Sequence, residues 1–142
     1  MTQDARGLGS HDDDEARLDE GGALHVLVVD GDVASGRVTV RMLRDDGFRV
    51  ELATDGGLAI ARLSRDPLPS VLLTDLHLPG ADGSAVARYA RSRSPGMAIF
   101  FVTARPELAK GHEHELSPPA AILPKPVDYE ALSRRIGALA QR

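Results

Sequence analysis

Five short apolar runs, most of them rich in β-branched residues, set the frame of this chain: 24–29, 48–53, 71–74, 98–102 and 121–123. In the first, 24–29, apolar residues follow one another almost without a break, which is the pattern of a strand buried on both faces. The segments between them change period. Val33, Gly36, Val40, Leu43 and Gly47 recur at steps of 3, 4, 3 and 4, one stripe of a helix. Asp32 is placed to cap that helix and Gly47 to stop it. Ala59, Ile60 and Leu63 mark a second helix ending near Pro67. Gly83, Val86 and Ala90 mark a third, closed by Pro95-Gly96. The stretch 105–115 reads as a weak fourth helix carrying Pro106 and Gly111. Tyr129, Leu132, Ile136 and Leu139 give a fifth. Strands alternating with crossover helices predict an α/β domain, (βα)5, with a parallel sheet covered on both faces. Ligands of such sheets sit at the carboxyl ends of the strands.

A chain of 142 residues is one domain's worth, and the absence of Cys removes disulfides and thiolate metal sites. The apolar runs fall short of the ~20 residues of a membrane helix. The N-terminus has no apolar signal segment, so a cytoplasmic protein without membrane attachment is expected. Charge is uneven: residues 1–22 hold seven acids and two arginines, the remainder fifteen basic and fourteen acidic residues. Residues 1–22 are therefore expected to form a disordered, solvated acidic tail, and 23–142 a nearly neutral domain. That balance argues against a nucleic-acid partner, which calls for a concentrated basic face.

The strand ends carry the chemistry. Asp30 and Asp32 follow the first strand, Asp75 the third, Thr103 the fourth and Lys125 the fifth. Clustered carboxylates hold a hard divalent cation such as Mg²⁺. A Lys suits a phosphoryl oxygen, and a Thr hydroxyl donates to another. Together they stabilise the charge of a phosphoryl group in transfer, with one carboxylate as nucleophile.

Val28-Val29-Asp30, the block from Leu73 to Gly83 (LTDLHLPGADG), Phe101-Val102-Thr103-Ala104 and Lys125-Pro126 resemble the receiver domains of two-component response regulators. The intervals fit as well: 45 residues from Asp30 to Asp75, 28 to Thr103 and 22 to Lys125. The likeness covers about residues 23–141. It implies a flavodoxin-like, doubly wound fold, a five-stranded parallel sheet in order 2-1-3-4-5. It makes Asp75 the phosphoacceptor and puts Mg²⁺ on Asp30, Asp75 and the backbone carbonyl of His77. Thr103 would contact the phosphoryl group and relay its presence, Lys125 would pair with a phosphoryl oxygen, and the Lys125–Pro126 bond would be cis. Asp82 and Gly83 would shape the loop into the third helix. The implied partners are a histidine kinase or histidine phosphotransfer protein, and a downstream protein meeting the fourth helix, fifth strand and fifth helix. Such a protein is a phosphoacceptor, capable of losing the group by itself, rather than an enzyme. The last predicted helix runs to the end of the chain, so a stand-alone receiver is expected.

Two departures from the family pattern stand out. Gly31 occupies the place of a second acid that ligates the metal directly. Either Asp32 or water fills that place and leaves a weaker working site, or the domain binds partners without phosphorylation. The weaker working site is the expectation, since Asp75, Thr103 and Lys125 are all present. Ile122 replaces the aromatic ring that relatives often carry on the fifth strand, so any switch must run through the backbone at 103–105 and the segment after it. His77 and Arg105, two residues past Asp75 and Thr103, flank the phosphoryl position in the family, where His77 would act on water or narrow the entrance. An exposed loop His accounts for it as well. His112-Glu113-His114-Glu115 lacks the spacing of a helical zinc motif and reads as a solvated helix end. Arg88, Arg91 and Arg93 read as a solvated face, and Pro118-Pro119 as a mobile approach to the fifth strand. A more distant reading is a haloacid-dehalogenase-like phosphatase, with Asp30 as nucleophile and Asp32 as acid and base. It leaves 75–83 unexplained.

Overall fold

The computed structural model describes residues 23–139. The expected acidic tail lies outside the described residues. The elements run His25–Val29 (β1), Val33–Asp45 (α1), Arg49–Ala53 (β2), Gly56–Leu63 (α2), Val71–Asp75 (β3), Gly83–Arg93 (α3), Ala98–Thr103 (β4), Ala121–Pro124 (β5) and Tyr129–Leu139 (α4). The five strands form one parallel sheet in the order β2-β1-β3-β4-β5. This is the flavodoxin-like doubly wound arrangement expected from the motif series.

The unbroken apolar runs are explained by two cores, one on each face. Leu27, Val29, Leu72, Ile99 and Phe101 point to one side and meet Ala59, Leu63, Val86 and Ala90 of α2 and α3. Their sequence neighbours Val26, Val28, Leu73, Phe100 and Val102 point to the other and meet Val40, Leu43, Leu132 and Ile136 of α1 and α4. Successive side chains of a strand alternate faces, so a sheet covered on both sides needs apolar residues at every position.

Helix starts follow the capping rules. The carboxylates of Asp32, Asp55 and Asp82 each accept a hydrogen bond from the backbone N–H three residues on. Gly47, with φ +95°, ends α1, its N–H donating to the Arg44 carbonyl.

The fourth predicted helix does not form. Residues 105–115 instead make two short 3-10 turns, Pro106–Leu108 and His112–Glu115. Pro106 has no N–H for a helical ladder, and Gly111, at φ +100°, reverses the chain between the turns. The described domain therefore has four α-helices. Ala109 and Leu116 anchor the crossover in the core, while Leu108 is 59% exposed.

Candidate functional site

Register brings the strand-end residues together. Val29 pairs with Thr74, so Asp30 and Asp75 emerge side by side from β1 and β3. Asp75 pairs with Val102, which sets Thr103 one residue further on β4. Thr103 pairs with Pro124, and its carbonyl accepts from Lys125 N at 2.9 Å. The Lys125–Pro126 peptide is cis, as the family resemblance implies. The ammonium of Lys125 returns to the pocket, 2.9 Å from Asp75 Oδ1. The other oxygen of Asp75 faces the Gly31 N–H at 3.4 Å. Asp30 is buried and accepts from Asp32 N at 2.9 Å. The buried Thr103 hydroxyl accepts from Arg105 N at 3.0 Å.

Electrostatics follow from this crowding. Burial pushes the Asp75 carboxyl up to about 6, and the neighbouring Asp30 adds to the rise against the pull of Lys125. Burial acts to lower the Lys125 ammonium, but the charges of Asp75, Asp30 and Asp32 outweigh it and the net shift is upward. Asp75 is thus mostly ionised at neutral pH, though at a cost. A cavity of about 140 Å³ opens beside the pair, running from Asp30, Asp75 and Lys125 towards Thr39 and Tyr129. The hydroxyls of those last two are 3.3 Å apart and join α1 to α4.

The remaining sequence candidates are placed differently. Asp32 spends one carboxylate oxygen capping α1, accepting from Ser35 N at 3.2 Å. His77 is exposed on the loop after β3. Among the described residues, no three His, Cys, Asp or Glu side chains gather as a metal cage. Position 31 explains part of this. A Cβ built on Gly31 would lie 2.9 Å from Pro79 Cδ, closer than real contacts allow, so the loop after β3 has closed on the place an acidic side chain would start from. Two crowded carboxylates are a donor set that a hard divalent cation relieves. The residues fit such an ion held by two carboxylates and a larger share of water.

Gly83, expected on the helix stripe and in the loop into the third helix, bears directly on the site. A Cβ there would come within 2.1 Å of the Asp75 carbonyl oxygen, and its N–H donates to the Leu76 carbonyl at 2.8 Å. The first turn of α3 is bolted to the backbone of Asp75, and only glycine permits it. Arg88 and Glu115 are exposed, as expected, with Arg88 Nη1 3.6 Å from Glu115 Oε1, whereas Arg91 and His112 join α3 to the crossover: Arg91 Nη1 donates to the Pro118 carbonyl at 2.7 Å, and His112 Nδ1 shares a hydrogen bond with Ser84 Oγ at 3.1 Å.

Comparison with known proteins agrees with this geometry. The family model described as response regulator receiver domain matches residues 26–137, and the chain belongs to that family. Response regulator MprA of Mycobacterium leprae is 35% identical over 119 residues, 84% of this chain and 52% of that protein. Its Mycobacterium ulcerans counterpart is 34% identical over 120 residues, 84% and 51% of the two chains. The chain spans about half the length of the curated relatives it matches. Among solved structures, chemotaxis response regulator CheY4 of Vibrio cholerae superposes with a TM-score of 0.72 at 25% identity, covering 82% of this chain and 98% of that one. A response regulator receiver protein from Sinorhizobium medicae gives 0.71 at 27% identity, covering 84% and 95%. The family assignment leaves the phosphatase reading without support. No helix among the described residues is long and apolar enough to cross a membrane.

Proposed function

We propose that this domain accepts a phosphoryl group on Asp75 from a histidine kinase or histidine phosphotransfer protein and passes that state to a protein partner. The observation that carries the reading is the Asp75–Lys125 pair at 2.9 Å beside a second buried carboxylate, Asp30, at the carboxyl ends of the strands. An ionised Asp75 oxygen attacks phosphorus as the bond from phosphorus to the donor nitrogen breaks; the imidazole leaves and an acyl phosphate forms. Lys125 moves from the carboxylate to a phosphoryl oxygen. The Thr103 hydroxyl, which accepts from Arg105 N, gives its own hydrogen to another. Asp30, Asp75 and the His77 carbonyl are the groups that would hold Mg²⁺, with Asp32 within reach only if it leaves the α1 cap. The ion, when bound, supplies charge neutralisation on the transferring oxygens. The chain is a signalling phosphoacceptor in this reading rather than an enzyme.

Acetyl phosphate with Mg²⁺ tests it. One phosphoryl group should add to the intact mass, map to Asp75 and vanish in Asp75→Asn. Label on Asp30, or none at tens of millimolar Mg²⁺, overturns the reading. A second reading, a partner-binding module that needs no phosphate, is favoured by the Gly31–Pro79 packing; it requires partner binding to survive Asp75→Asn.

A further inference from the structure

A second cleft lies at the end of the sheet away from Asp75. β5 starts at Ala121, which pairs with Phe100, so the first residues of β4, Ala98 and Ile99, run past its amino end. A cavity of about 230 Å³ opens there, walled by Met97, Phe100, Pro118 and Pro119 and flanked by Arg91 of α3 and Arg135 of α4. The two arginines come from opposite faces of the sheet, since α3 packs with Ile99 and Phe101, and α4 with Phe100 and Val102. Both are held in place. Arg91 donates from Nε to the Met97 carbonyl and from Nη1 to the Pro118 carbonyl, each at 2.7 Å. The Arg135 guanidinium lies over the Phe100 ring, 5.3 Å from its centroid. Among the described residues, neither has an acidic partner in an ion pair. Arg91 is half-buried against carbonyls alone, and burial pulls its guanidinium down with no acid to oppose it.

A half-buried charge without a counter-ion is costly, and a second cation at the same cleft adds to the cost. An anion relieves both. Arg91 spends Nε and one Nη1 donor on carbonyls and keeps the rest of its fork. A carboxylate matches that planar fork. The walls are largely apolar, and the cavity exceeds the ~150 Å³ that takes a benzene ring, so an inorganic ion would leave most of it unfilled. We propose that this cleft binds a small organic carboxylate, its charge between Arg91 and Arg135 and its apolar body against Met97 and Phe100. The site stands apart from the Asp75 pocket and does not depend on the phosphoacceptor reading. The carboxylate can come from two sources, a free anion or this chain's own acids at 12–15, and the test separates them.

The test titrates benzoate into the full chain at pH 7 and follows amide chemical shifts by NMR. Binding should saturate with a midpoint of about 1 mM, and the shifts should gather at 96–100 and 118–121. Arg135→Gln, at an exposed position, should weaken binding about tenfold with an unchanged melt. Benzyl alcohol, which has the ring without the charge, should show no saturation over the same range. A variant carrying Asp12→Asn, Asp13→Asn, Asp14→Asn and Glu15→Gln together should keep the wild-type midpoint. A midpoint lowered about fivefold in that variant overturns the free anion as occupant and assigns the cleft to the chain's own acids. The carboxylate site itself is overturned by any of four results: no saturation in either the wild type or the 12–15 variant, Arg135→Gln binding like the wild type, benzyl alcohol binding as well as benzoate, or shifts that gather at Asp75 and Lys125 instead.

Discussion

Two charged clusters of this domain are built from similar parts and come out opposite. On the α2 face, Glu51 of β2 takes a two-point contact from Arg62, Nε to Oε1 at 2.9 Å and Nη2 to Oε2 at 3.1 Å. Arg62 also caps the Arg65 and Pro67 carbonyls, at 3.1 and 2.7 Å, and His25 packs against Glu51 from β1. The Arg62 guanidinium holds the Glu51 carboxyl below its ordinary range, while burial lowers the His25 imidazole. At the strand ends, Asp75 also has a cation, yet its carboxyl is raised, because burial and Asp30 outweigh Lys125. A carboxylate matched by a planar, fully bonded cation is a strut. One facing another carboxylate is held ready to take a further positive charge or a new bond.

Breaking the strut should give the largest effect. Arg62→Ala leaves Glu51 with His25 but no guanidinium, strips two carbonyls of their donor, and should cost about 3 kcal/mol in urea unfolding at pH 7. The sign with pH is set by the lowered Glu51 and His25 values: the cluster's contribution is complete above their ordinary values, 4.5 and 6.5, and is lost on acidification. Gly31→Asp forces the contact with Pro79, and should lower the unfolding free energy by about 2 kcal/mol without metal. It should also tighten Mg²⁺ binding about tenfold by titration calorimetry, since it adds the third carboxylate. Removing the frustrated charge should act in the opposite sense: Asp75→Asn should stabilise the fold by about 1–2 kcal/mol at pH 7. Because the folded value of Asp75, about 6, lies above its ordinary 3.8, this gain should be absent below pH 3.8, grow between the two and be complete above 6. Thermal melts of both proteins across pH 3.5–7.5 check it, and Mg²⁺ should narrow the gap by stabilising the wild type alone. The smallest change is Asp32→Ala, which removes the α1 cap and should cost about 1 kcal/mol with little effect on Mg²⁺ affinity.

What the sequence made legible divides along the same physical line. Apolar runs such as 24–29 and 98–102 announce a sheet covered on both faces, and of the polar residues at the strand ends Asp30, Asp75 and Lys125 line one pocket because a parallel register aligns those ends, while the Thr103 hydroxyl is engaged by Arg105 N. The crossover at 105–115 reads as a weak helix in the strand–helix alternation, and Pro106 and Gly111 break it into two 3-10 turns. Long-range fits were not legible at all. The closure of Pro79 on Gly31 spans 48 positions of the chain. The Ser84–His112 contact joins residues whose separate surroundings both look like solvent-facing helix.

Gly83 has a practical consequence for anyone mapping this domain by random mutagenesis. Any larger residue there collides with the Asp75 main chain, so a screen for silenced variants would score positions 75 and 83 alike. Only variants at the first would keep a folded circular dichroism spectrum and a melting temperature no lower than the wild type's, and a map drawn from silence alone would mistake a packing requirement at 83 for a role in the pocket.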